Sequence, residues 1–171
     1  MILAIQTYEN KIFDSFTNKT IISEQDKSFL PHPDKEEIVV IPNGVDTSYF
    51  KPMESKKEFE LLFNGNMNYP PNIESVQYLV NKVMPLIWKQ KPEVRLLISG
   101  ANPNSKVLEL KSDRVVVSGW MNDIRENFAK SKILAAPMQI SIGLQNKLLE
   151  AMAMKLPCVT STLANNALKA K

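Results

Sequence analysis

KILAAPM at positions 132–138, followed by GLQNKLLEAMAMKLP at 143–157, is the stretch on which the reading of this chain turns. The first segment is a short apolar run, the pattern of a buried strand. The second opens on a glycine and passes at once into strong helix formers. Lys147 and Glu150 stand three residues apart and therefore share one helix face. A strand, a loop, a glycine and a helix bearing a cation and a carboxylate predict a sugar-nucleotide site at the helix start. The helix N-terminus and the ammonium would meet phosphate, and the carboxylate would accept hydrogen bonds from ribose hydroxyls. The alternative for the pair is a solvated ion pair at helical spacing, which is worth little.

Working outward, the same alternation recurs. EFELLFNG (58–65), VRLLISG (94–100), RVVVSG (114–119) and LPCVTS (156–161) are short apolar runs followed by turn chemistry. Between the first two, Ile73, Val76, Val80, Val83 and Ile87 step by threes and fours along one helix face. Asn72 is the expected N-cap of that helix, and Pro85 should kink it or end its regular part. MNDIRENFAKS (121–131) reads as a helix capped by Asn122 or Asp123, with a shorter helix around 106–111. Strands alternating with helices imply an α/β fold with a Rossmann-like, doubly wound parallel sheet, whose ligands bind beyond the carboxyl ends of the strands. Gly65, Gly100 and Gly119 close apolar strands there, where glycine permits positive φ and close approach of a ligand.

The chain of 171 residues suffices for one well-buried domain and is tight for two. A net charge of +3 is too mild to imply nucleic acid, and none is expected as a partner. One cysteine, Cys158, precludes an internal disulfide, and with one histidine the usual zinc ligand sets are lacking, so no metal site is expected. Cys158 reads as a buried thiol, His32 as an exposed loop residue between prolines, and Met152 and Met154 as core fillers. Neither a transmembrane span nor a signal peptide is legible, and a cytoplasmic setting is the expectation. The first part differs in character. TYENKIFDSF (7–16) reads as a helix, TIISEQD (20–26) as a short strand, and PHPDKEE (31–37) as a polar break. In IPNGVDTSYF (41–50), PNG is a turn signal, since Asn43 and Gly44 tolerate positive φ.

IPNGVDTSYF, FNGNMNYPPN (63–72), SGW (118–120) and GLQNKLLEAMAMKLPCV (143–159) together resemble the family 4, or group 1, glycosyltransferases, over about residues 7–160. These enzymes pair two Rossmann-like domains in the GT-B arrangement. The resemblance makes residues 1–36 a remnant of the N-terminal acceptor domain, 37–56 the linker, and 57–171 the nucleotide-sugar-binding domain with an incomplete C-terminus. It implies transfer of a sugar from a nucleotide diphosphate to an acceptor hydroxyl with retention of configuration, in surface polysaccharide or lipopolysaccharide synthesis. The implied partners are the nucleotide-sugar donor and a glycan or lipid-linked acceptor. Any peripheral membrane contact would belong to the missing acceptor domain.

The resemblance also assigns residues. Lys147 and Glu150 are the catalytic candidates: Glu150 matches the glutamate that holds the donor ribose, and Lys147 the lysine that meets the diphosphate. Gly65 and Asn66 match the loop over the phosphates. Trp120, after Gly119, lies in the loop that borders the base, with core or hinge packing as its alternative. Backbone amides at Gly143, Leu144 and Gln145 would stabilise the leaving diphosphate together with Lys147, without a cofactor.

Three departures from the family pattern stand out. The first of the paired family glutamates falls at Ile142. The loop NGNMNYPPN carries no cation, which leaves Lys147 most of the diphosphate charge. After LPCVTST only LANNALKAK remains, and most of the acceptor domain with its active-site histidine is missing, so the isolated fragment is expected to be inactive. The competing reading is a catalytically inactive nucleotide-binding or structural fragment. A dinucleotide-dependent oxidoreductase and a phosphate-loop NTPase lack their glycine signatures here. A sugar-nucleotide epimerase would need catalytic acids that are not legible.

Overall fold

A computed structural model describes residues 2–140 and 143–170. The first elements are α1 (Ile2–Phe13), β1 (Thr20–Ile21), α2 (Glu24–Phe29), a 3-10 turn at Lys35–Glu37, and β2 (Val39–Val40). Strands β1 and β2 pair in parallel as a small separate sheet. Ser23 caps α2: its hydroxyl accepts from the Asp26 amide at 3.1 Å and donates to the Asp26 carboxylate at 2.7 Å.

The main sheet follows, with β3 (Phe59–Asn64), β4 (Leu96–Ser99), β5 (Val115–Gly119), β6 (Ser131–Ala136) and β7 (Cys158–Thr160). Its order is β5-β4-β3-β6-β7, and every pairing is parallel. All four residues of β4 are buried, which requires cover on both faces. The expected doubly wound α/β fold is therefore present. The order reverses between β3 and β6: the chain runs outward from β3 through β4 to β5, then returns to lay β6 on the other side of β3. The crevice beyond the carboxyl ends of these two strands is the topological switch point.

The helices are α3 (Pro70–Tyr78), α4 (Met84–Gln90), α5 (Ser105–Leu108), α6 (Arg125–Lys130), α7 (Asn146–Ala153) and α8 (Thr162–Leu168). A π-helical turn at Leu79–Val83 joins α3 to α4. Pro85 accounts for it: proline cannot donate to the carbonyl four residues back and its ring crowds that carbonyl, so the ladder widens just before it. Asn72 is not the N-cap of α3. That position falls to Tyr69, because Pro70 and Pro71 occupy the first turn, where proline costs no hydrogen bond. Neither Asn122 nor Asp123 is the N-cap of α6: that position is Ile124, with no side-chain capping bond, and the Asp123 carboxylate accepts from the Arg125 amide at 3.0 Å just before the helix.

Four further expectations are corrected. Asn43 and Gly44 do not take positive φ. The chain turns instead at Asp46, whose carboxylate accepts from the amides of Ser48 and Tyr49. His32 is buried, stacked on Phe13 at 3.7 Å, with Nδ1 accepting from the Asp34 amide. Met154 fills the core as expected, whereas Met152 is exposed. Cys158 is only half-buried, and burial pushes its thiol pKa up.

Candidate functional site

Strand β3 ends in Asn64 and passes through Gly65 and Asn66 to α3; β6 leads through Pro137 and Met138 to α7. These two connections form the walls of the switch-point crevice. Helix α7 brings Lys147 into it. Lys147 is 8% exposed, and its ammonium donates to Asn72 Oδ1 at 2.7 Å. Met138 Sδ lies 3.9 Å from the nitrogen and the Phe63 ring centroid 4.5 Å away. Burial lowers the Lys147 pKa to about 8, with the nearby Glu150 carboxylate opposing the shift.

Glu150 is half-buried, one turn further along α7. Burial raises its pKa and the Lys147 charge partly offsets this. No ion pair within 4.0 Å joins it to Lys147 among the described residues. The reading of the two as a solvated surface pair fails, because the lysine is turned inward to the rim rather than outward to its helical neighbour.

The glycine loop is held at the same place. A Cβ at Gly65 would lie 2.6 Å from Asn72 Nδ2, so any side chain there would displace the Asn72 amide. That nitrogen donates to the Asn66 carbonyl at 3.0 Å. Asn72 thus joins the loop to the lysine, a role beyond the capping expected of it. A signal was present: two prolines favour the first turn of a helix, so the cap precedes them and Asn72 falls inside the first turn.

Gly143 enters α7 with φ +69 and is buried under Ile22 and Asp26; a Cβ there would lie 2.9 Å from the Asp26 carboxylate. Leu144 and Gln145 are partly exposed, and Gln145 is the N-cap of α7, with no side-chain capping bond. The early amides of α7 therefore keep the positive end of the helix dipole facing the crevice. Ile142 lies outside the described residues.

Gly119 ends β5 with φ +75, and Trp120 beyond it is 69% exposed, which rules out core packing. Strand β5 lies two strands from β3, about 10 Å across the sheet. Gly119 and Trp120 are therefore on the same rim as Lys147 but not in contact with it. Among the described residues no group of three or more His, Cys, Asp or Glu side chains is placed to hold a metal ion, and no helix is long and apolar enough to cross a membrane.

A five-stranded parallel sheet whose order reverses at a switch point is a Rossmann-like fold, and it matches one half of GT-B structures. A family model for the group 1 glycosyl transferases matches residues 58–170, and the chain belongs to that family. It is similar to an uncharacterized 44.6 kDa protein in the cps region of Klebsiella pneumoniae, at 25% identity over 114 residues, covering 61% of this chain and 29% of that protein. Among solved structures it is similar to HepE of Anabaena in complex with UDP-glucose, with a TM-score of 0.78 at 15% identity, covering 97% of this chain and 50% of HepE. It is also similar to the pneumococcal O-GlcNAc transferase GtfA in complex with UDP and GlcNAc, with a TM-score of 0.71 at 16% identity, covering 93% of this chain and 33% of GtfA. The chain thus spans half or less of the length of these relatives.

Proposed function

We propose that this chain is the donor-binding part of a retaining group 1 glycosyltransferase that takes a nucleotide-diphosphate sugar at the switch-point crevice. The observation that carries this reading is the Lys147 ammonium, buried at the rim and bonded to a neutral amide rather than to a carboxylate. A buried cation with no carboxylate in contact is costly, and a diphosphate would relieve that cost. The Gly65–Asn66 loop lies over the phosphates, the amides at Gly143–Gln145 and Lys147 meet the diphosphate, Glu150 holds the ribose hydroxyls, and Trp120 borders the base.

In the transfer, the bond between the sugar C1 and the phosphate oxygen breaks and the electron pair leaves with the diphosphate. The acceptor hydroxyl oxygen forms the new bond to C1, and its proton passes to the departing phosphate oxygen, which gains negative charge as the old bond breaks. Charge grows on the diphosphate in the transition state, so Lys147 and the amides act more strongly there than on the bound donor. Glu150 binds and orients; it moves no proton.

The relatives that carry UDP in their crystals support a sugar nucleotide as ligand, and the cps-region relative supports surface polysaccharide synthesis as the setting. The 171 residues by themselves bind donor without significant transfer. A thermal-shift screen against UDP-, GDP- and ADP-sugars tests the binding: stabilisation by one nucleotide series is expected, and no response to any of them would refute the site.

A further inference from the structure

Asn72 is 6% exposed, and both halves of its side-chain amide are engaged across the crevice. Its Oδ1 accepts from Lys147 at 2.7 Å, and its Nδ2 donates to the Asn66 carbonyl at 3.0 Å. Its Cγ would lie 3.0 Å from a Cβ at Gly65, so the side chain occupies the space that the glycine leaves open. The groups facing Lys147 from β3, α3 and the segment after β6 are Phe63, Asn72 and Met138. None of them titrates, and Glu150 on its own helix is the charge that bears on it.

The geometry points to Asn72 as a positioning residue that sets the Lys147 ammonium and the Gly65–Asn66 loop as one unit facing a bound diphosphate. The diphosphate in this statement rests on the donor-site reading above. A neutral amide suits the task. It fixes one of the three ammonium protons and leaves the charge uncancelled, with further protons available to an anion. An aspartate in its place would hold the lysine more firmly but would compete with phosphate for it.

The test uses UDP as the probe, measured by calorimetry on the 171-residue chain, with NMR of labelled lysine to follow the titration of Lys147. Asn72→Leu keeps the volume and removes both hydrogen bonds. It should weaken UDP binding about tenfold and lower the pH at which Lys147 titrates. Asn72→Asp should raise that pH and weaken UDP binding as well. A residue with a merely structural role would leave the Lys147 titration in place in both variants, and that result overturns the inference.

A second measurement does not depend on ligand. Gly65→Ala should lower the melting temperature in the native background but much less beside Asn72→Ala, where the atoms it would meet are gone; additive losses also overturn the inference. A native chain that binds no UDP, while Lys147 shifts as stated, sinks the donor reading and upholds the Asn72–Lys147 coupling.

Discussion

The carbonyl oxygen of Gly65 lies where a side chain at Gly100 would begin. The loop leaving β3 and the end of β4 are stacked backbone on backbone, with the Gly65 amide donating to the Ser99 carbonyl at 3.0 Å and the Met67 amide to the Ala101 carbonyl at 2.8 Å. Gly100 also takes φ +141, a conformation L side chains rarely adopt. Gly100→Ala should therefore cost about 3 kcal/mol or more and displace the glycine loop. Gly119→Ala has φ +75 but open space around it, and should cost only about 1 kcal/mol. Denaturant melts of the two variants compare them; equal losses would contradict the backbone contact.

The buried lysine gives stability and binding opposite pH dependences. Lys147 holds its proton up to about 8 in the folded chain, against an ordinary value of 10.5. Between these values the unfolded chain binds more protons, so stability should rise with pH over that window, by about 3 kcal/mol in all. Below about pH 8 the penalty of burying the charge is fully present. UDP affinity should instead fall as pH rises through about 8, because the ammonium is lost. Melting curves and calorimetry from pH 7 to 10.5 check both slopes, with Lys147→Met removing both.

Glu150 should matter for the ribose and not for the phosphates. Glu150→Ala should weaken UDP-sugar binding by about 10- to 100-fold, the worth of one or two hydrogen bonds to a charged oxygen. Pyrophosphate, which has no ribose, should bind this variant no more weakly than it binds the native chain. Because burial raises the carboxyl pKa, the variant should lose little stability at neutral pH. Competition titrations with the two ligands distinguish the roles; equal losses for both would assign Glu150 to the phosphates.

Trp120 offers an optical readout. The other tryptophan, Trp88, donates from its ring nitrogen to the Val94 carbonyl at 2.8 Å and lies under the Arg114 guanidinium. Trp88→Phe should cost about 1 to 2 kcal/mol through these two contacts and leave Trp120 as sole emitter. Its emission should be that of an exposed indole and should be quenched by UDP. Quenching by pyrophosphate to the same extent would place Trp120 away from the base.

Much of this protein was legible in its sequence because the periodic signals were local. The apolar runs ending in glycine became β3 and β5, and the stretch from 72 to 90 became helix with its disturbance at Pro85. Lys147 and Glu150 could be placed on one helix face by spacing. The failures were contacts between distant segments. His32 reads as a loop residue until Phe13 is folded against it, and nothing local to Asn72 shows that Lys147, 75 positions away, reaches its amide.

Alternation of strand and helix is a property of consecutive residues, and so are turn chemistry and the apolar face of each helix. These determined the layered fold and the position of α7 at the end of a strand. Which face of α7 would be buried, and therefore that Lys147 loses water while Met152 keeps it, was decided only when β6 returned past β3. Burial and hydrogen-bond partners depend on strand order, and strand order brings together residues that no local pattern connects.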